Sequence, residues 1–215
     1  MFITLEAGEG AGKSTQARKL GSALKEMGYD VVMTREPGGS PLAEELRNIV
    51  VQGDPDRMDA LTELLIFTAA RRDHINKTIR PALERGAIVI CDRYLGSTHA
   101  LQGAGGTPHA TIDMLHQTFC QLTPDLTLFL EMDSKAGLER AMGRLTQAEI
   151  AESRFEAKGQ IFHQEVDRIF RTQCETRPEW TAVDANGTIE EVSDRILSTV
   201  LSHDSFPKSK LATAV

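Results

Sequence analysis

The run Ala7-Gly8-Glu9-Gly10-Ala11-Gly12-Lys13-Ser14-Thr15 lies between an apolar stretch, Phe2-Ile3-Thr4-Leu5, and a segment of helical periodicity. A strand that turns through small residues into a helix with Gly-Lys-Ser in register reads as a phosphate-binding loop. Its backbone N–H groups form a nest for phosphate oxygens, Lys13 can bridge the β and γ phosphates, and Ser14 can reach Mg²⁺. The helix that follows adds its positive end to the same site. Ala7 stands where the strict pattern has its first glycine. Alanine is acceptable there if φ stays negative, and Gly8, Gly10 and Gly12 cover positions that need positive φ.

Four more short apolar runs read as strands: Val31-Val32-Met33-Thr34, Ala87-Ile88-Val89-Ile90-Cys91, Leu126-Thr127-Leu128-Phe129-Leu130 and Trp180-Thr181-Ala182-Val183. They are nearly continuous rather than alternating, as in strands covered on both faces. Between them lie helical stripes: Ala17, Leu20, Leu24 and Met27, ending at Gly28; Leu42, Leu46, Ile49 and Val50; and a long region from Met58 towards Leu83, which Pro81 either kinks or restarts. Further helices fit residues 109–122, 134–143, 157–173 and 188–202. This order predicts an α/β protein of three layers, a five-stranded parallel sheet flanked by helices, with ligands at the carboxyl ends of the strands. One domain over 1–203 is expected, with a short polar lid at about 143–159 and a disordered tail at 204–215.

The chain has 215 residues, a net charge of −7 and three widely spaced cysteines, Cys91, Cys120 and Cys174. The charge argues against broad attachment to nucleic acid. The cysteines do not suggest a disulfide framework, and no export signal or long apolar run is seen, so a soluble, cytoplasmic protein without a membrane partner is expected. Arg35, Arg71, Arg72, Arg93, Arg144 and Arg154 concentrate in or beside segments that read as site loops.

Together with the loop at 7–15, the segments Arg35-Glu36-Pro37-Gly38-Gly39, Phe67-Thr68-Ala69-Ala70-Arg71, Asp92-Arg93-Tyr94, Ser97-Thr98 and Ala100-Leu101-Gln102-Gly103 resemble the thymidylate kinase family. The resemblance runs from residue 2 to about 200. It implies transfer of the ATP γ-phosphoryl group to deoxythymidine monophosphate (dTMP), with Mg²⁺, in a homodimer. Residues 8–15 would hold ATP. Arg93, assisted by Arg35, would grip the acceptor phosphate, Ser14 would serve the metal, and Asp92 would hold a water on Mg²⁺ or orient Arg93. The resemblance further implies that Phe67 stacks on the base, Arg71 bonds thymine O4, and Thr98 meets the pyrimidine edge, with Ser97 and Gln102 nearby. Pro37 would abut the 5-methyl group, and Glu9 would accept from the 3′-hydroxyl. Arg144 and Arg154 are the candidates for a γ-phosphate clamp from the lid, and Asp184-Ala185-Asn186-Gly187 matches a segment that borders adenine. Catalysis should rest on positioning and electrostatic stabilisation by Lys13, Mg²⁺ and the arginines, because a phosphate oxygen is already nucleophilic and no strong base is required.

Three positions depart from the family pattern: Ala7; Ser153, where aspartate is usual; and Leu101, where a tyrosine commonly crowds the 2′ position. Leu101 opens a rival reading, a kinase of another 5-substituted deoxyuridine monophosphate. A GTP-hydrolysing switch shares the loop, but Asn76-Lys77-Thr78-Ile79 lacks the aspartate that reads guanine. A silent binding protein on this scaffold is opposed by intact Lys13, Ser14, Asp92 and Arg93.

Overall fold

A computed structural model describes residues 1–8, 10–52, 57–132 and 159–207. The helix expected at 134–143, the lid except Gly159, and the tail from residue 208 lie outside them. In chain order the elements are β1 (Phe2–Glu6), α1 (Lys13–Glu26), β2 (Val31–Arg35), α2 (Pro41–Val51), α3 (Ala60–His74), a π-helical turn (Ile75–Ile79) and α4 (Arg80–Glu84). They continue with β3 (Ile88–Asp92), α5 (Leu95–Ala104), α6 (His109–Leu115), a second π-helical turn (His116–Cys120), β4 (Leu126–Glu131), α7 (Gln160–Thr176), β5 (Trp180–Asp184) and α8 (Ile189–Ser202).

All five strands run parallel in the order β2-β3-β1-β4-β5, the expected three-layer α/β arrangement. The strand periodicity divides the core. Ile3, Leu5, Ile88, Ile90, Leu126 and Leu128 turn towards Leu20 and Leu24 of α1 and Val192, Ile196 and Val200 of α8. On the opposite face, Phe2, Val89 and Cys91 pack with Ile75, Ile79 and Tyr94, while Phe129 packs with Ala100, Val166, Phe170 and Trp180. The three inner strands are buried along nearly their whole length, whereas edge strands β2 and β5 are partly exposed.

The long helical region does not break at Pro81. Proline lacks an N–H and its ring crowds the carbonyl four residues back, so the chain widens first: the Arg80 N–H bonds the Ile75 carbonyl, five residues earlier. Asn76 and Lys77 therefore belong to a helix on the sheet, not to a guanine-reading loop. The helix expected at 157–173 begins three residues later, at Gln160, and α5 had no counterpart in the periodicity. Past α8 the chain stays packed as far as it is described. Phe206 is 3 % exposed, its ring lies 5.2 Å from that of Tyr29, and the Tyr29 hydroxyl donates to the Pro207 carbonyl.

Candidate active site

The loop after β1 leaves the sheet where the chain's neighbours part, β3 on one side of β1 and β4 on the other, which is where open parallel sheets bind ligands. Gly10 and Gly12 have φ of 72° and 82°, the left-handed region that glycine enters without penalty. Ala7 is buried and is not among the residues of positive φ, so its methyl is compatible with the turn. Gly8 is not among the glycines of positive φ; it lies close to α7, and a Cβ there would stand 2.8 Å from Asp167 Oδ1, so that carboxylate would have to shift. The Lys13 ammonium folds back over the loop and donates to the carbonyls of Ala7 (3.1 Å) and Gly8 (2.9 Å). α1 starts with no acidic residue in its first turn and no side-chain cap, so Lys13, Ser14 and Thr15 open a helix end whose N–H groups suit an anion.

Strand register brings the next group to this loop. Asp92 pairs with Leu5 on one side and Arg35 on the other, at the carboxyl edge of the sheet. The Ser14 hydroxyl donates to Asp92 Oδ2 at 2.5 Å. Arg93 adopts φ of 69°, a conformation costing a non-glycine residue about 1–3 kcal/mol. Its N–H bonds the Leu5 carbonyl, and its guanidinium donates to the Ala7 carbonyl at 3.1 Å and the Ser97 hydroxyl at 2.9 Å. Ser97 in turn donates to Glu6 Oε2, and Glu6 Oε1 accepts from the Tyr94 N–H. Burial pushes the Glu6 carboxyl pKa above its ordinary value, with Ser97, the Arg93 charge and Tyr94 opposing that rise.

A second cluster lies between α3 and α5. Glu36 is buried and accepts from Arg71 Nε at 2.7 Å and from His74 Nδ1 at 3.0 Å, while His74 Nε2 meets the Thr34 hydroxyl at 2.6 Å. Burial alone would raise the Glu36 pKa. The Arg71 charge, with hydrogen bonds from His74 and Arg71, outweighs burial and holds the carboxyl below its ordinary value. For Arg71 the burial penalty is likewise exceeded by the Glu36 charge, so its pKa is raised. Arg71 also donates from one Nη to the Thr98 hydroxyl at 2.8 Å and stands 5.0 Å over the Tyr94 ring. Phe67, one turn before Arg71, is 7 % exposed and packs with Val50 and Val51. Pro37 follows a cis peptide, and Arg47 donates to its carbonyl. Gly39, at φ of 82°, passes so near His74 and Thr34 that a Cβ there would lie 2.3 Å from His74 Nε2.

Of the residues singled out in the sequence, Lys13, Ser14, Asp92, Arg93 and Ser97 converge on the loop. Arg71 meets Thr98, and Gln102 meets Glu63, across α3 and α5, while Phe67 packs with Val50 and Val51 of α2. Arg35 instead turns to Glu44 of α2 at 3.1 Å, with its side chain about half exposed. Leu101 packs against the apolar patch made with α7. The 184–187 segment is closed by Arg195, which donates to the carbonyls of Asp184 and Asn186. Glu9, Arg144 and Arg154 lie outside the described residues. The anchoring roles of Glu6, Glu36, Glu63 and His74 were not foreseen. Glu36 sits inside a quoted motif, but its partners lie 35 and 38 residues away.

Known proteins resemble this chain over most of its length. The family model described as thymidylate kinase matches residues 5–196. Thymidylate kinases from Ruegeria pomeroyi and Caulobacter vibrioides are each 45% identical to it, over 94% and 93% of this chain and 95% of each relative. Among solved structures, a thymidylate kinase from Ehrlichia chaffeensis matches with a TM-score of 0.74 at 30% identity, covering 93% of this chain and 97% of that one.

Proposed function

The chain belongs to the thymidylate kinase family, and from that premise we propose that it transfers the γ-phosphoryl group of ATP to dTMP, yielding ADP and dTDP. The observation that carries this reading is the meeting of two cations on one atom: Lys13 Nζ and an Arg93 Nη both bond the Ala7 carbonyl oxygen. A donor phosphate on the loop and an acceptor phosphate on Arg93 would then face each other across that carbonyl.

ATP phosphates would be cradled by the N–H groups of residues 8–15, with Lys13 exchanging carbonyl partners for β and γ oxygens. Arg93 offers a planar fork suited to bidentate contact with the acceptor phosphate. Its backbone is pinned to Leu5 and its side chain to Ser97, so the fork is positioned before substrate arrives. Catalysis rests on alignment and on charge placed where it develops. Ser14 and Asp92 present a hydroxyl and a carboxylate, hard oxygen donors that fit Mg²⁺. Those two residues would hold the ion, which supplies neutralisation of β and γ oxygen charge when bound.

On the acceptor side, Arg71 uses Nε and one Nη within the protein, and its other Nη would meet thymine O4. Phe67 would stack on the ring, Pro37 would border the methyl group, Thr98 and Gln102 would face the pyrimidine edge, and Arg35 would reach the acceptor phosphate after leaving Glu44. Glu9 is assigned to the 3′-hydroxyl, and Arg144 and Arg154 to the γ-phosphate.

A homodimer is part of this reading. Leu42 and Ile49 of α2, Leu61 and Leu65 of α3, Met114 of α6 and Phe119 of the second π-helical turn are each 39–52 % exposed. α2 packs on α3, and α3 on that turn, so these side chains lie on adjoining elements. Monomers rarely expose large contiguous apolar patches. A cytoplasmic setting accords with three free cysteines; no helix among the described residues is long and apolar enough to cross a membrane.

The test is ADP formation with Mg²⁺–ATP and a panel of nucleoside monophosphates, ribo and 5-substituted forms included. dTMP should be preferred. Loss of the methyl should weaken use by about 1–3 kcal/mol in transition-state binding, and dCMP should be rejected more strongly because it leaves buried donors unpaired. Equal use of dTMP and dCMP would overturn the assignment of the base pocket.

A further inference from the structure

Thymine presents two hydrogen-bonding groups side by side, the O4 acceptor and the N3–H donor, and cytosine inverts both. Arg71 answers the first. A partner for the second emerges from the hydrogen bonds between α3 and α5. Glu63, Phe67 and Arg71 are spaced by four residues and so lie along one stripe of α3. Thr98 and Gln102 are similarly spaced on α5. Two rungs join the stripes: Arg71 to Thr98, and Gln102 Nε2 to Glu63 Oε1 at 3.0 Å. Gln102 is 2 % exposed, Glu63 is 6 % exposed, and the Gln102 carbonyl oxygen Oε1 is buried without any hydrogen-bond partner.

An amide side chain can be turned either way round, and its orientation is decided by its partners. A carboxylate only accepts hydrogen bonds, so Glu63 captures the NH₂ end of Gln102 and turns the carbonyl end away from itself. That carbonyl is a buried, unsatisfied acceptor one turn along α5 from Thr98, the residue that holds Arg71. Such an atom carries a desolvation penalty that a donor brought by a ligand relieves.

We propose that Glu63 is a positioning residue for base selection: by holding the Gln102 amide it commits the Gln102 carbonyl oxygen to the N3–H of a thymine- or uracil-type ring, and sets it against the N3 lone pair of a cytosine-type ring. The proposal rests on the dTMP pocket assigned above and adds a residue outside the quoted motifs. Arg71 and Gln102 then form a two-point reader, donor beside acceptor, with each orientation locked by a carboxylate: Glu36 behind Arg71 and Glu63 behind Gln102.

The test is steady-state kinetics of ADP formation with dTMP and with dCMP, on Glu63→Gln, Gln102→Ala and the exchanged pair Glu63→Gln/Gln102→Glu, with circular dichroism to confirm folding. In Glu63→Gln the amide is free to turn. KM for dTMP should rise about tenfold and the preference for dTMP over dCMP should fall by a similar factor, while kcat with dTMP and KM for ATP stay unchanged. The exchanged pair puts a carboxylate acceptor where the amide oxygen stood and an amide donor behind it, so both the dTMP KM and the discrimination should return towards the parent. A general packing role for Glu63 would not produce that rescue. Undiminished discrimination in folded Glu63→Gln overturns the proposal, as does a folded exchanged pair that discriminates no better than Glu63→Gln. If Glu63→Gln fails to fold, the exchanged pair decides alone: it must keep the parent's preference. Gln102→Ala separates the two levels of inference. A raised dTMP KM there with no change in Glu63→Gln rejects only the positioning role, whereas an unchanged dTMP KM in both rejects the pocket itself.

Discussion

Replacing Glu36 by glutamine removes a negative charge from a place where water cannot substitute for it. Glu36 and Arg71 are 5 % and 4 % exposed, 2.7 Å apart at their nearest atoms, and the carboxylate also holds His74. The substitution keeps the shape but leaves the Arg71 guanidinium buried without its carboxylate counter-charge, beside the Thr98 hydroxyl and the Tyr94 ring. Breaking one half of a buried pair costs about 3–5 kcal/mol. For a chain of this size that corresponds to a fall of roughly 10 °C in Tm. Urea unfolding followed through the fluorescence of Trp180, the single tryptophan, gives the free energy directly. Removing both charges, Glu36→Gln with Arg71→Met, should be less damaging than Glu36→Gln alone, because the orphaned charge is gone. The pH dependence has a definite sign. The folded Glu36 pKa lies below the ordinary 4.5, so its contribution is complete above that value and is lost as pH falls through the folded pKa. The gap between parent and variant should therefore narrow below about pH 4.5. A loss under about 1 kcal/mol at pH 7, or a double variant as unstable as the sum of the singles, would refute the argument that burial makes this pair interdependent.

Three further outcomes are expected. Lys13→Ala should lower kcat by about 10²–10³ with an unchanged circular dichroism spectrum; near-parental turnover would remove Lys13 from its role. His99 and His116 have pKa values lowered to about 4, by burial first and then by the charges of Arg177 and Arg71 respectively. The unfolded chain takes up those protons near pH 6.5 and the folded one resists, so each imidazole should lower stability by about 2 kcal/mol from pH 7.5 to pH 5, a contribution that levels off below pH 4. Urea midpoints across that range check this, and His116→Gln should flatten the slope; a slope untouched by that change contradicts the assignment. Leu65→Glu should convert the proposed dimer to monomers in sedimentation velocity, and an unaltered sedimentation coefficient would overturn the assignment of a dimer contact to this face.

The parts that were legible are local in origin. The strand, loop and helix of residues 2–26 announce themselves because glycine is the residue for the positive φ of positions 10 and 12, and because buried strands need continuous apolar residues. The same logic finds all five strands. α5 escaped it because it has no single apolar stripe: Ala100 faces α7, whereas Ser97, Thr98 and Gln102 are buried through hydrogen bonds to Glu6, Arg71 and Glu63. Phe206, in a segment without periodicity, finds its partner in Tyr29 far back in the chain.

From the sequence alone came the fold class, the phosphate loop and the identity of most residues around it, since backbone sterics and short-range periodicity are written into neighbouring residues. Tertiary structure decided what each charge does. It tied Arg35 to Glu44, brought Lys13 and Arg93 to one carbonyl, and set Glu36 behind Arg71. A charge acquires its partner only when distant segments meet and water is excluded between them, and spacing along the chain carries no record of that meeting.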